Sequence, residues 1–257
     1  HMNRDTVRQI INVIVFIATV VVNGLANALP LNGQTTGGIS DSFKVFFVPA
    51  GYVFAIWGLI YLALGAFTVY QALPAQRANP RLRRIGYLFA LASIANTVWL
   101  FFWHYNQYPL TLVAMLTLLA ALIVIYTRLQ IGVKAPSTVE RWTINFPFSL
   151  YLGWITVATI ANVTSLLDHL KWNGWGIAPE VWTVIMLAAA IIIAGLMLLS
   201  RRDSTYLLVL VWAFVGIALK HSAVPTVTTA SWIAAGLVAL MALANWFWKR
   251  NLLTFKK

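Results

Sequence analysis

The stretch FFVPAGYVFAIWGLIY, residues 46–61, contains no charged residue and passes from a Pro-Ala-Gly turn into a long apolar run. A membrane-crossing helix needs about 20 mainly apolar residues, and the run from about residue 51 to 73 meets that requirement. The whole chain has a matching composition, with 61% hydrophobic and only 9% charged residues. Such a chain has too little polar surface for a soluble domain, so lipid is the expected solvent for most of it.

Apolar runs of this kind recur along the 257 residues. They lie at about 10–29, 51–73, 86–103, 109–128, 146–167, 181–199, 204–220 and 228–248. The seventh is the shortest. We therefore expect an all-α, polytopic integral membrane bundle with about eight transmembrane helices. The connections are short except for 30–50 and 168–180, so neighbouring helices should pack antiparallel.

The basic residues predict the topology. Of the 18 lysines and arginines, Lys44, Lys171 and Lys220 fall on one side of the predicted spans and the other 15 on the opposite side. Positively charged loops are typical of the cytoplasmic face. We expect both termini there, in a protein of the bacterial cytoplasmic membrane. The formal net charge of +12 is then mostly topological, and a nucleic-acid partner is not expected.

The N-terminal segment has a competing interpretation. The run that follows Arg8, ending in LANAL, resembles a signal peptide with a small-residue cleavage site, but it is longer than a usual signal-peptide core. We interpret it as a retained first helix after an N-terminal segment 1–9, in which His1 before Met2 resembles an expression-tag residue. Cleavage would leave seven spans.

The spans lack the groups that most membrane chemistry needs. All six acidic residues fall in loops or at span edges, which argues against ion-coupled transporters and proton pumps. Lys220 ends the seventh span and is expected to be an interfacial lysine rather than a Schiff base. Cysteine is absent, and His104, His169 and His221 belong to three different loops, so no metal site is expected.

Aromatic and small residues share faces on three spans. In the second, Trp57 and Tyr61 lie one turn apart, with Phe54 before them. The third and fifth spans carry similar stripes, namely Asn96, Trp99 and Trp103, and Pro147, Tyr151, Trp154, Ala158, Ala161 and Asn162. Such stripes suit either the wall of a ligand cavity or ordinary helix packing, and the spacing leaves both open.

Three blocks resemble one family, the tryptophan-rich sensory proteins, also called TspO or translocator proteins. PAGYVFAIWGLIY, ANTVWLFFW and FPFSLYLGWITVATIANVT are similar to motifs of the family's second, third and fifth helices, in that order. The similarity covers about residues 10–167. The sequence departs from the usual motif in having Tyr52 in place of the first tryptophan and Pro-Ala in place of Pro-Pro. Family members usually have five spans, so residues 168–257 would add about three helices.

The resemblance implies a pocket for a tetrapyrrole or drug-like ligand, covered by the loop 30–50. Trp57 and Tyr61 would line it from below, and Trp154 and Ala158 match positions that face the ligand. The full set of expected ligand-binding residues is Tyr52, Phe54, Trp57, Tyr61, Asn96, Trp99, Tyr151, Trp154, Ala158 and Asn162, with Thr159 matching a motif position nearby.

Three functions are compatible with these features. The first is a membrane sensor or binding protein for flat hydrophobic molecules such as porphyrins. The second is a carrier for a neutral lipophile. The third is an enzyme that degrades porphyrin with light and oxygen, in which Trp57 and Trp154 would be the redox-active groups. No cofactor is required, although a tetrapyrrole is an expected ligand. The expected partners are membrane lipids and a small hydrophobic ligand, with a homodimer left open.

Overall fold

The computed structural model describes the backbone of residues 3–254 and the side chains of residues 3–249. Within that range all regular elements are helical. The eight long helices are α1 (Arg4–Ala28), α2 (Ile56–Ala72), α3 (Leu88–His104), α4 (Tyr108–Arg128), α5 (Phe146–His169), α6 (Pro179–Arg201), α7 (Ser204–Lys220) and α8 (Pro225–Thr254). Each of these eight helices overlaps one of the eight predicted apolar runs.

Six of the helical segments in the described residues are long and apolar enough to cross a membrane. The other two long helices, α3 and α7, have 17 residues each. At a rise of about 1.5 Å per residue, 17 residues extend about 26 Å, somewhat less than the roughly 30 Å of a bilayer core. The all-helical membrane bundle is confirmed, while the count of eight spans stays a prediction.

Proline and a capping carboxylate determine where several helices begin. Proline occupies the first turn of α4 and α6 and the first position of α8, where its missing N–H costs no hydrogen bond. Asp203 caps α7 by accepting from the backbone N–H of Tyr206 at 3.1 Å. As a result, α7 begins only two residues, Arg202 and Asp203, after the end of α6.

Helix α1 begins at Arg4 rather than at about residue 10. Asn3 caps it by accepting from the N–H of Asp5 at 3.0 Å, and an acidic residue in the first turn favours the helix. Gln9 is buried and donates to the carbonyl of Gln71 at 2.7 Å. Most of the predicted N-terminal segment is therefore helix packed against α2, and residues 1–2 lie outside the described range.

Helix α5 is the centre of the bundle, in contact with α2, α4 and α7. Helix α1 packs on α2 and α3, and α3 on α4. The C-terminal helices form a second group, in which α6, α7 and α8 contact one another and α7 joins them to α5. This arrangement buries α5 on most sides, which explains why Tyr151 and Trp154 are each only 2% exposed.

The outer surface is apolar. Leu62, Val69 and Leu199 are 73%, 66% and 78% exposed. Large aliphatic side chains at such exposure are unfavourable in water and normal in hydrocarbon. The apolar exterior and the apolar helices make this an integral membrane protein.

Candidate ligand-binding site

Trp57 and Trp154 meet inside the bundle. Their ring centroids are 6.3 Å apart and the planes are inclined by 84°, the edge-to-face geometry that aromatic quadrupoles favour. Phe54 meets Trp154 in the same way at 5.7 Å and 87°. Trp57 also stacks on Tyr61 at 5.5 Å, as expected for residues one helical turn apart. The indole faces of α2 and α5 thus converge on one interior corner.

A cavity of about 60 Å³ lies at this corner. Six of the predicted ligand-binding residues line it, namely Phe54, Trp57, Trp99, Trp154, Ala158 and Asn162. Sequence analysis had not assigned the remaining lining residues, which are Thr36, Ser40, Val48, Pro49, Trp103, Met115, Val157, Ala161 and Ser165. Trp103 and Ala161 belong to the predicted stripes, so helical spacing could have identified them. The four residues from the 30–50 loop gave no such signal.

Tyr61, Asn96 and Tyr151 form a polar layer beside the cavity rather than part of its wall. Asn96 is 3% exposed and donates to the hydroxyls of Tyr151 at 3.0 Å and Tyr61 at 3.3 Å. One amide thereby ties α3 to both α2 and α5. These residues lie behind the aromatic corner, and their contact with a ligand stays a prediction.

Tyr52 also lies away from the cavity. It is 47% exposed and packs edge-on against Trp212 of α7 at 5.5 Å. Trp212 in turn donates its indole N–H to the carbonyl of Val53 at 3.1 Å. The position where the family motif has a tryptophan therefore contacts a C-terminal helix in this protein.

Asn162 is fully engaged with its neighbours. Its Oδ1 accepts from the indole N–H of Trp99 at 2.7 Å, and its Nδ2 donates to the hydroxyl of Thr111 at 3.0 Å. Trp99 also stacks on Trp103 at 5.1 Å. The side chain of Thr159 turns back to the carbonyl of Ile155 at 2.7 Å. Asn162 thus joins α5 to both α3 and α4.

Trp154 differs from Trp99 in one respect. Its indole Nε1 is buried and has no hydrogen-bond partner among the described residues. A buried N–H without an acceptor costs about 1–3 kcal/mol, and such groups are uncommon in native proteins. One lining residue therefore has an unused, covered donor, and none of the lining residues is ionisable under ordinary conditions.

The loop over the cavity is anchored to the end of α3. His104 is completely buried, with Nε2 2.8 Å from the hydroxyl of Thr36 and Nδ1 3.0 Å from the carbonyl of Leu31. Asn32 and Gln34 both donate to the carbonyl of His104 at 2.9 Å. His104 is therefore a buried anchor at the end of α3, which corrects its assignment to a loop.

The turn that opens the second span rests on α7. The N–H of Ala50 donates to the carbonyl of Gly216 at 3.1 Å. Gly216 lies so close that an added Cβ would be 2.3 Å from Cγ2 of Val53 and 3.0 Å from Cβ of Pro49. Pro49 itself lines the cavity. The C-terminal group of helices thus supports the cavity wall through one glycine.

The three histidines considered as metal ligands lie apart. His104 anchors the loop. The ring centroid of His169 lies 4.8 Å from that of Tyr108, and the ring centroid of His221 lies 5.3 Å from that of Phe46. Burial lowers the pKa of His221, and the neighbouring Lys220 acts in the same direction. The neutral form of His221 is thus the favoured one.

A family model described as TSPO-like protein matches residues 9–244. Neither the search of curated proteins nor the search of solved structures gave a match. The matched range takes in all of α2 to α7 together with most of α1 and α8, and so extends beyond residues 10–167, which carried the resemblance. Since the match covers far more than half of the chain, this protein belongs to the TSPO-like protein family.

Proposed function

We propose that this membrane protein binds a flat, largely apolar molecule such as a porphyrin, and acts as a sensor or binding protein for it. The observation that carries the proposal is the corner formed by Trp57 and Trp154, whose rings meet edge to face and line an uncharged cavity. Aromatic walls bind flat ligands by stacking. The indole N–H of Trp154 has no partner among the described residues, and opening of the cavity would let it donate to an acceptor on the ligand.

The size of the cavity adds a condition. Its volume of about 60 Å³ is far below the roughly 300–1,000 Å³ of ordinary ligand pockets. A porphyrin therefore requires the cavity to open. The part of the wall best suited to move is the loop that contributes Thr36, Ser40, Val48 and Pro49, because loops open at lower free energy than packed helices. The structure then corresponds to a form in which this loop is closed over the cavity.

Binding of protoporphyrin IX to the detergent-solubilised protein tests the proposal. When porphyrin is added to a fixed concentration of protein, the change in porphyrin absorbance and the quenching of tryptophan fluorescence should both reach a plateau. Trp154→Phe keeps an aromatic ring and removes the donor, so we expect binding to weaken about tenfold, equivalent to about 1.4 kcal/mol. Trp232→Phe is the matched control, because Trp232 is 47% exposed and absent from the cavity.

Two outcomes would contradict the proposal. Quenching that rises linearly without saturation would indicate partition into the micelle rather than binding. If Trp154→Phe and Trp232→Phe weaken porphyrin binding equally, the porphyrin does not bind in this cavity.

Light-dependent degradation is the second candidate, favoured by the contact of Trp154 with Trp57 and the stacking of Trp57 on Tyr61. Adjacent oxidisable rings are suited to stabilise a radical. Illumination of the porphyrin complex in air distinguishes the two functions. A binding protein should give the same bleaching per bound porphyrin in wild type and Trp154→Phe, whereas an enzyme should lose bleaching in the variant. Protein-dependent porphyrin flux across vesicles would instead indicate a carrier.

A further inference from the structure

A second cavity opens toward the opposite end of α5, among the basic loops. Its volume is about 680 Å³, within the range of small-molecule sites. Four parts of the chain line it: the 131–136 loop, residues 141–149 at and just before the start of α5, the α6–α7 turn and Lys249 of α8. It shares no lining residue with the cavity at Trp57 and Trp154.

Five cations line this cavity: Lys134, Arg141, Arg201, Arg202 and Lys249. Within the described part of the chain none of them forms an ion pair, since the four salt bridges found there involve other basic residues. Positive charges from four separate segments therefore face one concave space without a neutralising carboxylate in direct contact.

The one acidic lining residue, Asp203, is already occupied. It is 8% exposed, and its Oδ2 accepts from the hydroxyls of Tyr126 at 2.6 Å and Ser149 at 2.5 Å. Its Oδ1 accepts from the N–H of Tyr206 at 3.1 Å. A carboxylate satisfied by three donors has a structural role in capping α7, and it forms no ion pair with the arginines and lysines of the cavity. Of these cations, Lys249 donates to the carbonyl of Arg202 at 3.0 Å.

The part of the cavity wall at the α6–α7 turn is held in place by close packing. Gly132, at φ +77°, lies so close to the α6–α7 turn that an added Cβ would be 2.1 Å from the carbonyl oxygen of Arg201. Arg201 donates back to the carbonyl of Ile131 at 3.3 Å. Two side chains therefore hold fixed positions at the turn: Arg201, and Arg202, whose guanidinium lies 4.2 Å from the ring centre of Trp248.

We propose that this cavity is a binding site for a phosphate-bearing anion, of which the headgroup of an acidic phospholipid is the expected source. Guanidinium groups bind phosphate through two parallel hydrogen bonds. Basic pockets between transmembrane helices suit acidic headgroups. Trp142, 60% exposed, and Phe146 provide an apolar rim for the adjoining glycerol and acyl groups. Topology alone requires positive loops, but does not require five cations around one cavity.

Thermal unfolding in a neutral detergent tests this site without a porphyrin, so its result is independent of the proposed function. The protein is titrated separately with phosphatidylglycerol, phosphatidylcholine and inorganic phosphate. The test variant is Lys134→Gln with Arg141→Gln, because both side chains are exposed and neither forms an ion pair or side-chain hydrogen bond within the described residues. The control, Arg4→Gln with Arg84→Gln, removes the same charge from the same end of the bundle, outside the cavity.

We expect phosphatidylglycerol to raise the Tm of the wild-type protein saturably and phosphatidylcholine to have no such effect. The test variant should need about tenfold more phosphatidylglycerol for the same rise, while the control should titrate like wild type. If inorganic phosphate alone gives the saturable rise, the anion is a free phosphate and the site is still supported.

Equal loss of the response in the test and control variants would overturn the proposal, because the effect would then be diffuse surface charge. The absence of any saturable rise with either anion would also overturn it. If the double substitution lowers the Tm before any anion is added, the single variant Arg141→Gln is used instead, with Arg84→Gln as its control. The same two results would overturn the proposal: equal loss of the response in both variants, or no saturable rise with either anion.

Discussion

Lys220 and Asp41 form an ion pair, with Nζ 2.9 Å from Oδ1, that joins the end of α7 to the loop over the aromatic cavity. Lys220 is expected from the sequence to be an interfacial lysine, and the structure adds a specific partner for it. The pair is partly exposed, at 26% and 60% for the two side chains. Exposed pairs contribute about 0–1 kcal/mol, enough to bias a loop without locking it.

Asp41→Asn should therefore loosen the loop and leave the bundle intact. Hydrogen exchange of the short helix Thr36–Ser42 should accelerate up to about fivefold, with no change in the Tm beyond about 2 °C. Salt at about 0.5 M should reproduce the effect in the wild type, because it screens exposed charges. Lys171→Gln is the control, since Lys171 forms no salt bridge in the described residues. Exchange that is equally fast in both variants would contradict the role of the pair.

Gly216→Ala should destabilise the protein by about 1–3 kcal/mol, the usual cost of overpacking. The new methyl group would overlap Val53, whose side chain is fully buried and β-branched, so it has little freedom to move. Thermal or denaturant unfolding in detergent measures the loss. Adding Val53→Ala should recover part of it by vacating the space.

Gly195→Ala is the matched control for that substitution. Gly195 is also inside a long helix, but no atom lies within 4 Å of its added Cβ. Its replacement should change the stability by no more than about 1 kcal/mol, in the stabilising direction. If both glycine variants behave alike, the close contact between α7 and the Val53 turn has no energetic importance.

Asn96→Leu should cost about 1–3 kcal/mol of stability, because it leaves the buried hydroxyl of Tyr151 and the hydroxyl of Tyr61 without their donor. Adding Tyr151→Phe to this variant should cost little more, since the hydroxyl that it removes has already lost its partner. A double-mutant cycle by thermal unfolding measures this coupling. If Asn96→Leu and Tyr151→Phe lower the stability additively, the hydrogen bond between Asn96 and Tyr151 does not contribute as predicted.

The stability of the folded state should fall as the pH drops below about 6.5, through the protonation of His221. Its ordinary pKa is 6.5, and burial lowers the pKa in the folded protein. Between the lowered value and 6.5 the unfolded state binds more protons, so stability in that window increases with pH. Unfolding measured from about pH 7.5 to about pH 5.5 should show a shallower pH dependence in His221→Gln than in wild type. Parallel curves would contradict this prediction.

The amino-acid sequence determined the helices, because apolar length and helix-start signals are local properties. Proline at 109, 179 and 225, and Asp203 before α7, lie at helix starts in the structure. Helical spacing also placed the aromatic and polar residues of α2, α3 and α5 on shared faces, since residues three or four apart lie side by side, and the family resemblance assigned six of the residues that line the cavity to a pocket. The family resemblance rested on the same local blocks.

Only the tertiary structure decided which residues meet between distant segments. Neither the support of Val53 by Gly216 nor the anchoring of Thr36 by His104 leaves a periodic trace in the sequence. The separation of Asn96, Tyr61 and Tyr151 from the cavity depends on how three helices are rotated against one another. The gathering of five cations at one cavity likewise depends on the docking of α6, α7 and α8. Rotation and docking follow from close packing across the whole bundle, and local pattern carries no information about them.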